Sequence, residues 1–357
     1  MSGLPVPHLG HGLDVGYRRC TVRVGRAVWS WRLRSVVCGV ALVILIAAVA
    51  VCSLGFGTYP VAPGTVIEVL RGGGDAMDRT VVWDWRLPRA IAAISMGALL
   101  AIAGALFQTA TRNPLASPDV LGLSNGAFSG MLLTLALVSA SWQARTLGAL
   151  AGGALTAALI WVLSVRGGIQ GFRLIIVGIG VSAMFASLNT WLLLQVELET
   201  AMFASAWGAG SLNGVTAGPL AGALVCAAPF VVGAAILAPR LRQLDLGDDV
   251  AAATGVRAHV VRTLALLCGV ALVSAATTVV GPVAFIALAA PQIARRCAAT
   301  PHLSLALSAL TGAVLLAASD LVAQHVLPAS LPVGVVTVSV GGTYLVLMII
   351  LEIRRRV

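Results

Sequence analysis

Apolar residues run in long blocks along this chain, separated by short polar or arginine-bearing segments. Ten blocks stand out, at about 36–56, 90–110, 119–139, 146–165, 173–194, 218–238, 260–279, 281–296, 303–323 and 333–351. Most approach the roughly 20 residues that a helix needs to cross a bilayer. A helix that is apolar all round belongs in lipid or in a core, not at a water-facing surface. The pattern predicts an all-α, polytopic integral membrane protein with about ten transmembrane helices. The 281–296 block fits least well, being short and holding Pro282 and Pro291. The 36–56 block has the flanking charge of a signal peptide, but its length and the lack of a cleavage site read as an uncleaved first helix. Residues 1–35 read as a polar, irregular tail, and Gly57 to Arg86 as a polar connection with Pro60, Pro63 and a Gly72–Gly74 turn. The domain plan is therefore a 1–35 tail, a 36–353 membrane domain with its largest internal loop at about 239–259, and a short 354–357 end.

Composition strengthens this picture. Hydrophobic residues make up 59% of the 357 and charged residues 10%, against roughly 25% charged in soluble domains. The net charge is +10, yet all 23 basic residues are arginine and none is lysine. A phosphate-cradling GxxxxGK[ST] loop requires lysine, so ATPases of that type are excluded. Nucleic acid is an unsuitable partner, because the arginines are spread over many short loops rather than gathered in one stripe. The six cysteines form no CxxC pair or Cys/His cluster, which argues against a metal site or disulfide framework.

Arginine placement sets the orientation. With ten spans both termini share a side. That side holds 18 of the 23 arginines, and the other holds five: Arg71, Arg79, Arg86, Arg89 and Arg145. The expectation is a multi-pass protein of the cytoplasmic membrane with both termini inside.

Five segments carry candidate chemistry. The stretch Trp85-Arg-Leu-Pro-Arg-Ala90 places Arg86 and Arg89 at the outer mouth of a helix, with Pro88 suited to its first turn. These arginines either snorkel to headgroups or present charge to something outside. The turn from Gln108 to Asp119 holds Arg112, Asn113 and Pro114, which stop the helix on the inner side, and Ser117 or Asp119 is placed to cap the next one. In Leu244–Val256, Asp248 and Asp249 open a short Ala-rich helix, favourable for its dipole, and Gly255 ends it. Its small residues Ala251, Ala252 and Ala253, with Thr254 and Val256 beyond, form either a solvated connector or a ridge for another protein's groove. The fourth segment is Gly281-Pro-Val-Ala-Phe285 to Pro291-Gln-Ile-Ala-Arg295. The fifth pairs Ser319-Asp320 with Leu331-Pro-Val-Gly334 to Gly342. Asp320 reads as a helix-end cap or packing partner, or as a functional group, since ionisable residues at membrane depth are functional candidates. Gln108, Asn189 and Thr277 either line a passage or hydrogen-bond between helices.

In this order, the five segments resemble the FecCD family, the permease subunits of importers for ferric siderophores, haem and vitamin B12. The resemblance runs from about Trp85 to the C-terminus. It implies the fold of a type II ABC importer permease and a chain that is not itself an enzyme. ATP and magnesium would be bound by two partner ATPase subunits in the cytoplasm, and no cofactor by this chain. It also implies a second permease subunit, a different chain being favoured over a second copy by analogy, and an extracytoplasmic binding protein. Arg86 and Arg89 would pair with glutamates of that binding protein, and the Asp248–Val256 segment would dock on an ATPase. A ferric siderophore is the expected cargo, with haem or cobalamin as the alternative. An ion-coupled secondary transporter is remote, because the spans lack paired carboxylates. The chain departs from the family pattern at Gln292, which replaces a histidine, at Ser330, which replaces an acidic residue, and at Gln324-His325, where an arginine is usual.

Overall fold

The computed structural model describes residues 19–24, 27–119, 121–138, 141–164, 171–327 and 331–356. Two short strands, β1 (Arg19–Val24) and β2 (Ala27–Arg32), pair antiparallel. Helices follow in the order α1 (Leu33–Gly55), α2 (Pro63–Leu70), α3 (Ala76–Arg79), α4 (Leu87–Thr111), α5 (Leu123–Leu137), α6 (Trp142–Ser164), α7 (Gly171–Leu193) and α8 (Leu198–Gly208). The rest are α9 (Ala217–Leu244), α10 (Asp248–Ala253), α11 (Ala258–Val280), α12 (Ile286–Ala298), α13 (Leu305–His325) and α14 (Val333–Arg356). A π-helical turn, Thr80–Arg86, leads into α4.

Ten of these helices coincide with the ten apolar blocks. Among the described residues, seven spans are long and apolar enough to cross a membrane, while α5, of 15 residues, and α12, of 13, fall short. The shortfalls in α5 and α12 have local causes. α5 begins at Leu123, not at 119, because Pro118 precedes it and Gly122 holds the left-handed region at φ 79°. α12 begins only after Phe285, a non-glycine residue at φ 69°, so Gly281–Phe285 is not helical as the 281–296 block had suggested.

Two segments are corrected by the structure. The part of the 1–35 tail read as irregular contains the β1–β2 hairpin, and α1 starts at Leu33. The 57–86 connection holds α2, α3 and the π-turn, which close over a small core of Leu54, Val61, Val66, Val69, Val81 and Val82. The sequence reading also passed over α8, an 11-residue helix whose polar start dilutes its apolar signal.

α4 is the axis of the bundle. Small Ala and Gly residues are interspersed along it, and its residues from Leu99 to Ala110 are all buried. α9, α11, α12 and α13 pack around it. Small residues allow backbones to meet, which is how helices gain packing energy in lipid. A Cβ built on Gly104 would collide with the carbonyl of Ala287, and one on Gly97 with that of Gly312. α5 and α6 meet in the same way, with Gly126 and Gly130 facing Gly148 and Gly152.

Candidate functional site

The bundle has two polar ends. One carries the start of α4, the end of α13 and the α8–α9 connection. Here Arg89 forms a two-pronged ion pair with Asp320. Its Nε donates to Oδ2 at 3.0 Å and its Nη2 to Oδ1 at 2.7 Å. Nη1 donates to Asn213 Oδ1 at 2.6 Å. Gln324, one turn after Asp320, donates to the same carboxylate at 2.6 Å. Asp320 is only 3% exposed, so its charge depends on these donors. Arg86 donates through Nη1 to the carbonyl of Leu54 at 2.8 Å and through Nη2 to that of Tyr59 at 2.5 Å, tying the end of α1 to the π-turn. Both arginines thus have partners within the chain while remaining partly exposed. Ser330 lies outside the described residues.

The opposite end carries α10, the start of α1 and the end of α12. Arg34 Nε donates to the carbonyl of Cys297 at 2.8 Å, which holds the last two together. α4 stops at Arg112, which adopts φ 52°. Asn113 then closes an Asx turn by accepting the N–H of Leu115 at 2.9 Å, and Pro114 sits inside it. The left-handed Arg112 aims its side chain at α10. Its Nη2 donates to the carbonyl of Leu244 at 2.8 Å and to Asp248 Oδ1 at 2.5 Å. Arg262, on α11, donates to the same Oδ1 at 2.6 Å. Asp248 is therefore a staple joining α4, α10 and α11. Desolvation is the largest single influence and raises its carboxyl, but the guanidiniums of Arg262 and Arg112 together outweigh it and hold the group below the usual carboxylate range. Neighbouring Asp245 moves the other way, raised by burial against the pull of Arg112 and Arg295.

The staple presents one face of α10. Ala251 is fully buried and Val256 nearly so, while Asp249, Ala252, Thr254 and Gly255 are exposed. Thr254 Oγ1 donates to the carbonyl of Ala251 at 2.9 Å. Gly255, at φ 81°, turns the chain so that the Val256 N–H reaches the Ala251 carbonyl at 2.9 Å. Leu246 and Val250 stand exposed beside this face, an apolar patch at a polar end.

Between the ends, Gln108 and Asn189 are buried and bond between helices. Gln108 Nε2 donates to the Leu288 carbonyl at 3.0 Å, and Gln292 Nε2 donates to Gln108 Oε1 at 2.6 Å, joining α4 to α12. Asn189 Nδ2 donates to the Asn125 carbonyl at 3.1 Å, and its Oδ1 accepts from Ser129 at 2.5 Å, joining α7 to α5. Thr277 is buried on α11, and its hydroxyl has no partner among the described residues. Neither Ser117 nor Asp119 caps α5, whose N-cap is Gly122.

Sequence reasoning did not assign roles to Arg262, Asn213 or Arg145. Arg262 and Arg145 were visible only as loop-proximal charges, and Asn213 as one polar residue in a Gly-rich connection. Which of them shares a partner with a distant residue is a tertiary fact.

Comparison with known proteins places this architecture. Residues 42–351 match the model of the FecCD transport family. The chain is 46% identical over 301 residues to the ferric enterobactin transport system permease protein FepG of Escherichia coli (strain K12), covering 84% of this chain and 91% of that protein. It is 34% identical over 313 residues to FepD, the other ferric enterobactin permease protein of the same strain, covering 86% and 93%. Among solved structures, it resembles a metal-chelate type ABC transporter in an inward-facing conformation, at a TM-score of 0.76 and 26% identity, covering 87% of this chain and 98% of that one.

Proposed function

This chain belongs to the FecCD transport family of permeases, which are not themselves enzymes, and from that premise we propose that it is one membrane-spanning half of an ATP-driven importer carrying a ferric siderophore inward by alternating access. The observation that carries the mechanistic part is the stapled α10 end. A short helix with an exposed small-residue face is tied to α4 and α11 by one carboxylate and two guanidiniums. Such a helix transmits force. When it sits in a groove of a partner ATPase, closure of the ATPase pair moves α10, and α4 and α11 move with it. This is a two-state coupling between remote sites. ATP and magnesium belong to that ATPase pair.

The arginine count assigns the α10 end to the cytoplasm. The Arg86–Arg89 end then faces outward and receives the binding protein. There the two arginines first hold the shape of the rim through Asp320 and the α1 carbonyls, and their exposed edges register the docking partner. The unequal similarity to FepG and FepD supports pairing with a different permease chain over pairing with a copy of itself. The similarity to FepG supports a ferric siderophore as cargo.

The test is uptake of radiolabelled iron, supplied as ferric siderophores, by a strain lacking only this chain. Loss of uptake that the wild-type chain restores supports the reading. Normal uptake of every ferric chelate by the deletion strain, with loss of labelled haem or cobalamin uptake instead, overturns the cargo.

A further inference from the structure

The connection between α1 and α4 closes over its own small core, into which α2 sends Val66 and Val69. The other side of α2 is apolar too, for Ile67 and Leu70 stand exposed. A helix apolar on both sides is not built to face water. The π-turn adds Trp83 and Trp85, 45% and 59% exposed. Trp83 turns its indole N–H inward and donates to the carbonyl of Val69 at 3.1 Å, at the end of α2 that carries Leu70. That N–H is the only polar group of an indole, so the part of Trp83 left at the surface is hydrocarbon.

What covers this face follows from where it begins. The most apolar 18-residue stretch of α1 stays unburied throughout, so one side of this span meets lipid. Its exposed residues include Val51 near the outward-assigned end, and Phe56 and Tyr59, which lead from α1 into α2, are exposed as well. The apolar surface thus passes from the lipid-facing span onto the cap. Trp and Tyr gather where a bilayer meets water. Depth is limited by the backbone, because short helices end in groups that need water or another partner. Asp75 and Asp84, exposed on the same cap, also require water. The level that satisfies both demands is the headgroup layer.

We propose that the cap of α2, α3 and the π-turn is a lipid anchor, lying in the outer headgroup layer with Ile67, Leu70, Trp83 and Trp85 against phospholipid. Arg86, in the same π-turn, bonds the carbonyls of Leu54 and Tyr59, so the anchor is joined to the end of α1. The inference goes beyond the importer reading and takes from it only the outward assignment of this end.

The experiment uses the purified full chain in phosphatidylcholine nanodiscs, with no transport step. One set of discs carries bromine near the headgroup end of the acyl chains and another carries it near their tips. Bromine quenches indole fluorescence on contact. The chain has eight tryptophans, so the signal of interest is the difference between wild type and Trp83→Phe with Trp85→Phe. Trp85→Phe alone gives a second difference that leaves the Trp83–Val69 bond in place. Both differences should fall about twofold or more with shallow bromine and less with deep bromine, as for an apolar face set roughly 5–10 Å into the headgroup boundary. Ile67→Glu with Leu70→Glu, both at exposed positions, should weaken the shallow quenching. Difference signals that respond to neither lipid and are quenched by aqueous iodide overturn the anchor. So do signals that respond to neither lipid and become shielded from iodide only when a purified extracytoplasmic binding protein is added, which would give the face to a protein and leave the importer reading standing.

Discussion

The Arg89–Asp320 pair gives the sharpest quantitative test of the fold. The side chain of Asp320 is 4% exposed and that of Arg89 is 21% exposed. Removing one member of a buried pair strands the other, at about 3–5 kcal/mol. The two members are not equivalent here. In Arg89→Met the carboxylate remains buried with Gln324 as its donor, and the loss should lie in that full range. In Asp320→Asn the stranded guanidinium reaches water along its exposed edge and keeps Asn213, so the loss should fall to about 2–3 kcal/mol. The double variant Arg89→Met with Asp320→Leu removes both charges and should be more stable than Arg89→Met alone. Its coupling relative to the sum of the singles should be at least about 1 kcal/mol. Unfolding of the purified chain by titration with a denaturing detergent measures all four forms. Single variants within about 0.5 kcal/mol of wild type, the range of ordinary surface changes, would refute the reasoning. So would a double variant that merely adds the two losses.

Two further outcomes are expected at the α10 end. Ala252→Trp changes an exposed position, so stability should shift by no more than about 0.5 kcal/mol. Iron uptake by the assembled transporter should nonetheless fall about tenfold while ATP hydrolysis persists, and unaltered uptake would sink the coupling role. His302, in the α12–α13 turn, is held below the usual imidazole range first by burial and then by the guanidiniums of Arg242 and Arg32. Its folded state favours the neutral ring. The stability this gives is whole above the unfolded value of about 6.5 and is lost as pH falls through the lower folded value. Wild type should therefore lose thermal stability below about pH 6.5 more steeply than His302→Gln, and parallel profiles would show that the ring does not titrate as described.

Much of the fold was legible in the sequence because lipid imposes one demand, a long apolar run, on every span. The ten helices were readable for that reason, and Gly255 and Pro88 were readable because turn chemistry is local. Where lipid is not the solvent, the signal weakens. α8 and the α2–α3 cap are short and of mixed character, so their burial depends on neighbours far along the chain. The candidate sites divide in the same way. Arg112 and Asp248 each stood out within their own segment, but that they meet through Oδ1 with Arg262 depends on the left-handed turn after α4. Arg89 was visible as a charge at a helix mouth, whereas its bond to a residue 231 positions away was not.

The glycine seams have a mechanical consequence. Where backbone touches backbone, no side chain is available to swing aside, so the contact either stays shut or breaks outright. α5 with α6, and α4 with α13, are then planks rather than independent rods. A bundle of planks moves at its joints. Two of the breaks between spans, at residues 112–119 and 281–285, each contain a non-glycine residue at positive φ, Arg112 and Phe285. One joint ends the plank that Asp248 grips, and the other opens the half-length α12. Under the proposed coupling, a pull on α10 arrives at the first joint directly through Arg112, which makes the turn that stops the central helix the lever arm.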